Sequence, residues 1–137
     1  MFALLLRDGS REEFAAPDLW EAMRTALRLD AELLEIPGEP PRSMSADQVR
    51  QELALNRSGL FDAFTPGWTP PTVEEFRELL RVTGLPGSAA GLLVGVSQKK
   101  IRKWAGGEGE VPYAVWRLLS IYAGLAEPAR RDNELTK

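Results

Sequence analysis

The sequence predicts an α+β protein, a small N-terminal ββαβ unit followed by a mainly α-helical domain. Three observations carry that expectation. Asp8-Gly9 is a two-residue turn signal between two short runs suited to strands. Capping pairs recur, Asp18 with Glu21, Ser45 with Gln48 and Thr72 with Glu75, each followed by apolar residues at helical spacing. Beyond residue 72 the periodic stretches are helical, and glycines at 84, 95, 106 and 107 divide them.

In chain order, Phe2 to Leu6 is a short apolar run, and Arg11 to Ala15 returns beside it as its partner strand. Asp18 then caps a helix whose Leu19, Trp20, Met23, Ala26 and Leu27 share a face. Ala31 to Ile36 reads as a third strand, ended by Pro37-Gly38. A ββαβ unit over residues 1–38 is too small to bury much core alone. It is expected to pack on the remainder or on a second copy of itself, as a dimerisation or partner-binding unit.

Residues 39–71 read as a linker with one helix and an aromatic loop. The segment 39–43, EPPRS, is proline-rich and of limited flexibility. Ser45 opens a helix from Ala46 to about Asn56, apolar at Val49, Leu53 and Leu55. The prolines and Gly67 of residues 61–71 forbid a regular element. Phe61, Phe64 and Trp68 in that loop either form a surface for a protein partner or cover the flank of the helical core.

Thr72 opens the leading helix of the next domain, with Val73, Phe76, Leu79 and Leu80 on one face. Pro86 to Val94 is a short helix of small and apolar residues that Gly95 closes. Ser97 caps the helix SQKKIRKWA, which runs out at Gly106 and Gly107. On its 3.6-residue wheel Ile101 and Trp104 form a buried seam, with Val96 just before them. The opposite side carries Lys99, Arg102 and Lys103, flanked by Gln98 and Lys100. Pro112 fits the first turn of a last helix that ends at Gly124. Its apolar set, Val115, Leu118, Leu119, Ile121 and Tyr122, with Tyr113 and Trp116 flanking, is wider than one seam requires. That width suits a dimer interface or a helix at the centre of a bundle. Residues 127–137 read as a frayed polar tail.

Composition narrows the chemistry. The 137 residues contain no histidine and no cysteine, which removes Ser-His and Cys-His catalysis, thiolate metal sites and disulfides. Asp8, Asp18 and Glu21 sit where turns and helix caps want them, with no nucleophile, phosphate loop or metal-spaced cluster beside them. No enzyme, catalytic residue, cofactor or metal is therefore expected. No apolar run approaches the roughly 20 residues that span a bilayer, and MFALLLRDGS lacks a basic leader and a long apolar core. The expected location is the cytoplasm, on the nucleoid when DNA is bound.

Charge is unevenly spread. The net charge is −3, but residues 1–72 hold 12 acids against 7 bases, a net −5, and residues 73–137 hold 10 bases against 8 acids, a net +2. Between Leu79 and Gly107 there is no acid, against Arg81, Lys99, Lys100, Arg102 and Lys103. A local cationic surface on an acidic protein fits specific docking better than indiscriminate coating. Lysine and arginine suit phosphates and guanine edges and an amide suits adenine, so this helix face matches a major groove of double-stranded DNA. Charge alone would equally describe a solvated face.

The frame around that helix adds a resemblance. From Thr72 to Leu125 the chain resembles the helix-turn-helix of Cro and phage-repressor type, the Xre-like group. The leading helix EFRELLRVTGL, the Gly84-Leu85 break, a small-residue second helix, the Gly95-Val96-Ser97 turn, Ile101, Trp104, Gly107 and Val111-Pro112 carry it. Departures fall at Pro86-Gly87, where the family often has Ser or Thr before a backbone-gripping Gln, at Gly91, where Ala is usual, and at Lys100, commonly a small residue. The resemblance implies a DNA-binding domain over 72–126 and a sequence-specific transcriptional regulator, a repressor acting as a homodimer. Its DNA-binding residues would be Ser97, Gln98, Lys99, Lys100, Arg102 and Lys103. The alternative is an antiactivator or antitoxin-like regulator that binds another protein through its N-terminal half.

Overall fold

Asp8 and Gly9 make the first turn as the sequence demands. The Asp8 carboxylate accepts from the Ser10 hydroxyl at 2.6 Å and the Ser10 N–H at 2.9 Å, and Gly9 takes a φ of 90°. Those two bonds, the hydroxyl first, hold the Asp8 carboxyl below the usual carboxylate range. The computed structural model describes residues 1–128, divided into two units, Met1–Asn56 and Arg57 onward. None of the described helices is long and apolar enough to cross a membrane.

The turn joins β1 (Phe2–Leu5) to β2 (Arg11–Phe14), and the first unit continues with α1 (Leu19–Arg28), β3 (Leu33–Ile36), β4 (Arg42–Ser45) and α2 (Ala46–Glu52). The strands form one antiparallel sheet in the order β2-β1-β3-β4. Register places Leu4, Leu34 and Met44 in line, and Phe2 lies 5.8 Å from Phe14, ring to ring. Ala22, Met23, Ala26 and Leu27 of α1 and Val49 of α2 supply the buried residues of the helices. Residues of the other parity carry charge: Arg11 reaches Glu13 on its own strand at 3.2 Å and Glu35 on β3 at 2.9 Å, spanning Ala3 between them. Alternation thus puts the Arg11, Glu13 and Glu35 cluster on the face opposite Leu4, Leu34 and Met44.

Two expectations for this unit are corrected. The ββαβ unit has a fourth strand, because Arg42–Ser45, assigned from sequence to a linker, pairs with β3 from Ile36–Arg42 to Leu33–Ser45. Arg-Ser-Met-Ser has little strand preference of its own, so the pairing comes from its neighbour. The α2 helix stops at Glu52 instead of running to Asn56: Leu53 caps it, and Ala54 takes a φ of 58°. Leu55, buried as expected, packs from beyond the helix.

The second unit contains α3 (Val73–Thr83), α4 (Gly87–Val94), α5 (Gln98–Ala105) and α6 (Tyr113–Tyr122). A reciprocal capping box of Thr72 and Glu75 starts α3, and Gly84 in the left-handed conformation ends it. Phe76, Leu79 and Val82 are its fully buried apolar residues, whereas Val73 and Leu80 are half-buried. Trp116, read from sequence as flanking α6, stands at its centre, 1% exposed, and donates its indole N–H to the Leu60 carbonyl at 2.7 Å. That hydrogen bond lets a polar ring atom sit in the core. Leu118 and Ile121 are half-buried and Tyr122 is exposed.

The aromatic loop lies on these helices. Phe61 stacks on Trp116 at 5.6 Å, while Phe64 and Trp68 meet Tyr113 edge-on at 5.0 and 5.1 Å. Phe64 nevertheless remains 59% exposed. Arg57 fastens the loop, donating to both oxygens of Glu75 and to the carbonyls of Thr69 and Pro70, and Arg117 donates to the Phe61 carbonyl at 2.9 Å. Of the expected tail, residues 129–137 lie outside the described residues.

Arg57 is half-exposed but Glu75 is buried, so Arg57→Ala leaves a desolvated carboxylate without its main donor. We expect a loss of about 1–3 kcal/mol in urea unfolding. Arg57→Lys, lacking the planar fork, should recover only part of it.

Candidate nucleic-acid interface

The candidate face is built by α4, the three-residue turn 95–97 and α5. Gly95 ends α4 in the left-handed conformation, φ 77° and ψ 28°. The Val96 N–H then bonds the Gly91 carbonyl at 2.9 Å. Ser97 opens α5, its hydroxyl accepting the Lys100 N–H at 3.1 Å. Ile101 and Trp104 are buried, and the Trp104 ring stands 6.2 Å from Phe76 of α3, nearly perpendicular at 86°. One side of α5 is therefore sealed against α3, and the other is exposed.

The six residues expected to bind DNA fall into four groups. Lys99, Arg102 and Lys103 are exposed and have no ion-pair partner among the described residues. Gln98 lies beside Gly87, where an added Cβ would meet Gln98 Cγ at 3.6 Å and Nε2 at 4.0 Å. Lys100 leans back, its Nζ 5.8 Å from the centre of the Trp104 ring, a cation–π contact between residues one turn apart. The Ser97 hydroxyl is occupied by its cap.

Two contributors escape a reading of the sequence. Arg77 of α3 donates Nε–H to the carbonyl of Ala105 at 2.7 Å, placing a cation at the negative end of α5 and tying that end to α3. Its signal was the absence of an apolar or capping role at that position of α3. Gly91 is the second. A Cβ there would come within 2.6 Å of the Val96 carbonyl oxygen, a contact with backbone that cannot swing away. The departure from alanine at 91 is thus matched by an unusually close approach of α4 to the turn.

Among the described residues no group of three or more Asp or Glu side chains is placed to hold a metal ion. Asp8 and Asp18 are engaged in the turn and in the α1 cap, and Glu21 pairs with Arg24.

Comparison with known proteins finds two curated relatives, both named transcriptional repressor protein KorC from Escherichia coli. They are 46% and 38% identical to this chain over 61 residues, which cover 42% of this chain and 72% of each relative. No protein-family model matches the chain, and no solved structure matches it.

Gly91→Ala should lower stability by about 1–3 kcal/mol, the usual cost of forcing a methyl into a filled site. Thermal unfolding measures it. Gly87→Ala, whose Cβ would meet only ordinary contacts, is the control and should stay within about 0.5 kcal/mol.

Proposed function

The chain belongs to the family of the transcriptional repressor protein KorC, and we propose that it is itself a transcriptional repressor that binds specific double-stranded DNA as a dimer. One observation carries the reading: α5 has a buried inner seam at Ile101 and Trp104, while three cations on its outer face, Lys99, Arg102 and Lys103, have no ion-pair partner among the described residues. Cations paired within the protein would have described a structural face.

On this reading α5 enters the major groove as the recognition helix of a helix-turn-helix domain. Lys99, Arg102 and Lys103 meet guanine edges and phosphates. Gln98 reaches an adenine edge from its place beside Gly87. Lys100 contributes charge to a phosphate from above Trp104, and the amides near Ser97 add hydrogen bonds at the helix start. Ile101, Trp104 and Arg77 hold the angle of the helix. Two copies would present two such helices to an inverted repeat with half-sites about one DNA turn apart.

Selection from a randomised DNA library tests the function. We expect an inverted-repeat motif, bound with a log–log salt slope of about −3.6 per protomer for four engaged cations. Replacing Lys99 and Arg102 by glutamate should abolish the enrichment while leaving the unfolding temperature within a few degrees. Recovery of no motif at low salt by a folded protein would sink the proposal.

A further inference from the structure

We propose that the open edge of β4 is where a second copy of this chain docks, Arg42 of each copy pairing with Glu52 of the other. The inference rests on the two-copy reading above and gives it a surface.

The sheet has two edges, and they differ. At β2 three of four residues are charged, Arg11, Glu12 and Glu13, and Arg11 is tied to Glu13 and Glu35. Such an edge resists pairing with another strand. At β4 the sequence is Arg42-Ser43-Met44-Ser45, with one charge. Antiparallel strands turn both backbone groups of alternate residues to the same neighbour. Ser45 gives its N–H to Gln48 Oε1 in the α2 capping box. Ser43 has the same parity, so it turns its N–H and C=O to the open side.

That geometry suits a two-fold axis. Two β4 strands running antiparallel about Ser43 would exchange a pair of N–H···O bonds between the two Ser43 residues and set Arg42 opposite Met44 of the other copy. Around Met44 the surface is concave. A hollow of about 350 Å³ opens between Arg42, Ser43, Met44 and Gln48, Gln51 and Glu52 of α2. A second, of about 240 Å³, lies between Met44, Arg42, Glu52 and Leu19, Trp20 and Met23 of α1. Trp20 is 50% exposed there, a large apolar ring without cover.

Charge chooses the occupant. Arg42 and Glu52 line both hollows, are exposed, and have no ion-pair partner among the described residues. A surface with one unpaired cation and one unpaired anion, related to a copy of itself by a two-fold, satisfies both charges twice. A generic peptide would have to supply the same pattern by chance.

Arg42→Glu and Glu52→Arg test this in the full-length protein by analytical ultracentrifugation. The unmodified protein should sediment as a dimer. Each variant alone faces like charges across the two-fold and should associate at least about tenfold more weakly. Mixed in equal amounts, the two variants should form a heterodimer, because each then meets the opposite charge. This rescue in trans excludes misfolding and a pair within one chain. A monomeric wild-type protein, its edge left to a peptide of another protein, overturns the proposal, as do variants that stay dimeric or a mixture that stays monomeric. Binding to a single DNA half-site, read on the same samples, separates the two readings. A monomer that binds the half-site overturns this surface alone, and a rescued dimer without DNA binding supports the surface while overturning the repressor function.

Discussion

Trp104 against Phe76 is the contact on which the candidate interface depends. The α5 helix has only eight residues, Gln98–Ala105, well short of the roughly 12–15 that an isolated helix needs to be even marginally stable in water. Its own sequence works against it, since Lys99 with Arg102, Lys99 with Lys103 and Lys100 with Lys103 are like-charged neighbours at helical spacing. Each such pair costs roughly 0.2–0.5 kcal/mol. Burial of Ile101 and Trp104 returns roughly 1.5–3 kcal/mol apiece, so the seam outweighs the repulsion by a factor of a few. The helix exists because α3 and α4 receive it.

The same contact explains why the turn is so tight. With Trp104 held on Phe76 and Ala105 held by Arg77, the far end of α5 is fixed, and its near end must follow α4 through only three residues. Gly95 supplies the left-handed step and Gly91 the room for the Val96 carbonyl. Gly91 costs intrinsic helix stability, but alanine there would meet fixed backbone, the larger penalty. At 87 an added Cβ would meet Gln98 and Ile101 only at ordinary contact distance, so the clearance is made at 91. What looks from the sequence like a weakened second helix is, in three dimensions, clearance for the third.

Elements with local signals were legible. The Asp8-Gly9 turn, the Ser45 and Thr72 capping boxes, the glycine stops and the Ile101–Trp104 seam all follow from residues within a turn of one another, and the structure places them where those residues put them. Elements made by partners distant in sequence were not. β4 is a strand because β3 lies beside it, Trp116 is central because Leu60, 56 residues away, offers a carbonyl, and Arg77 acts through Ala105, 28 residues on. The face of α5 was readable as a set of side chains. The cation–π lean of Lys100 was not, because a helical wheel gives direction without conformation.

The distribution of charge gives the two units different physical tasks. A protein with net −3 is repelled by a polyanion at long range, and at physiological salt that repulsion is screened beyond about 8 Å. Inside that distance only the nearest groups matter. Lys99, Arg102 and Lys103 repel one another and have no ion-pair partner among the described residues. On the proposed reading, a phosphate or a guanine edge would relieve that repulsion at the moment of contact, and binding would gain more from these residues than their number suggests. The acidic remainder would disfavour any pose that brings another face to a duplex. Local attraction with general repulsion would let a small acidic chain of the proposed kind choose one orientation on DNA.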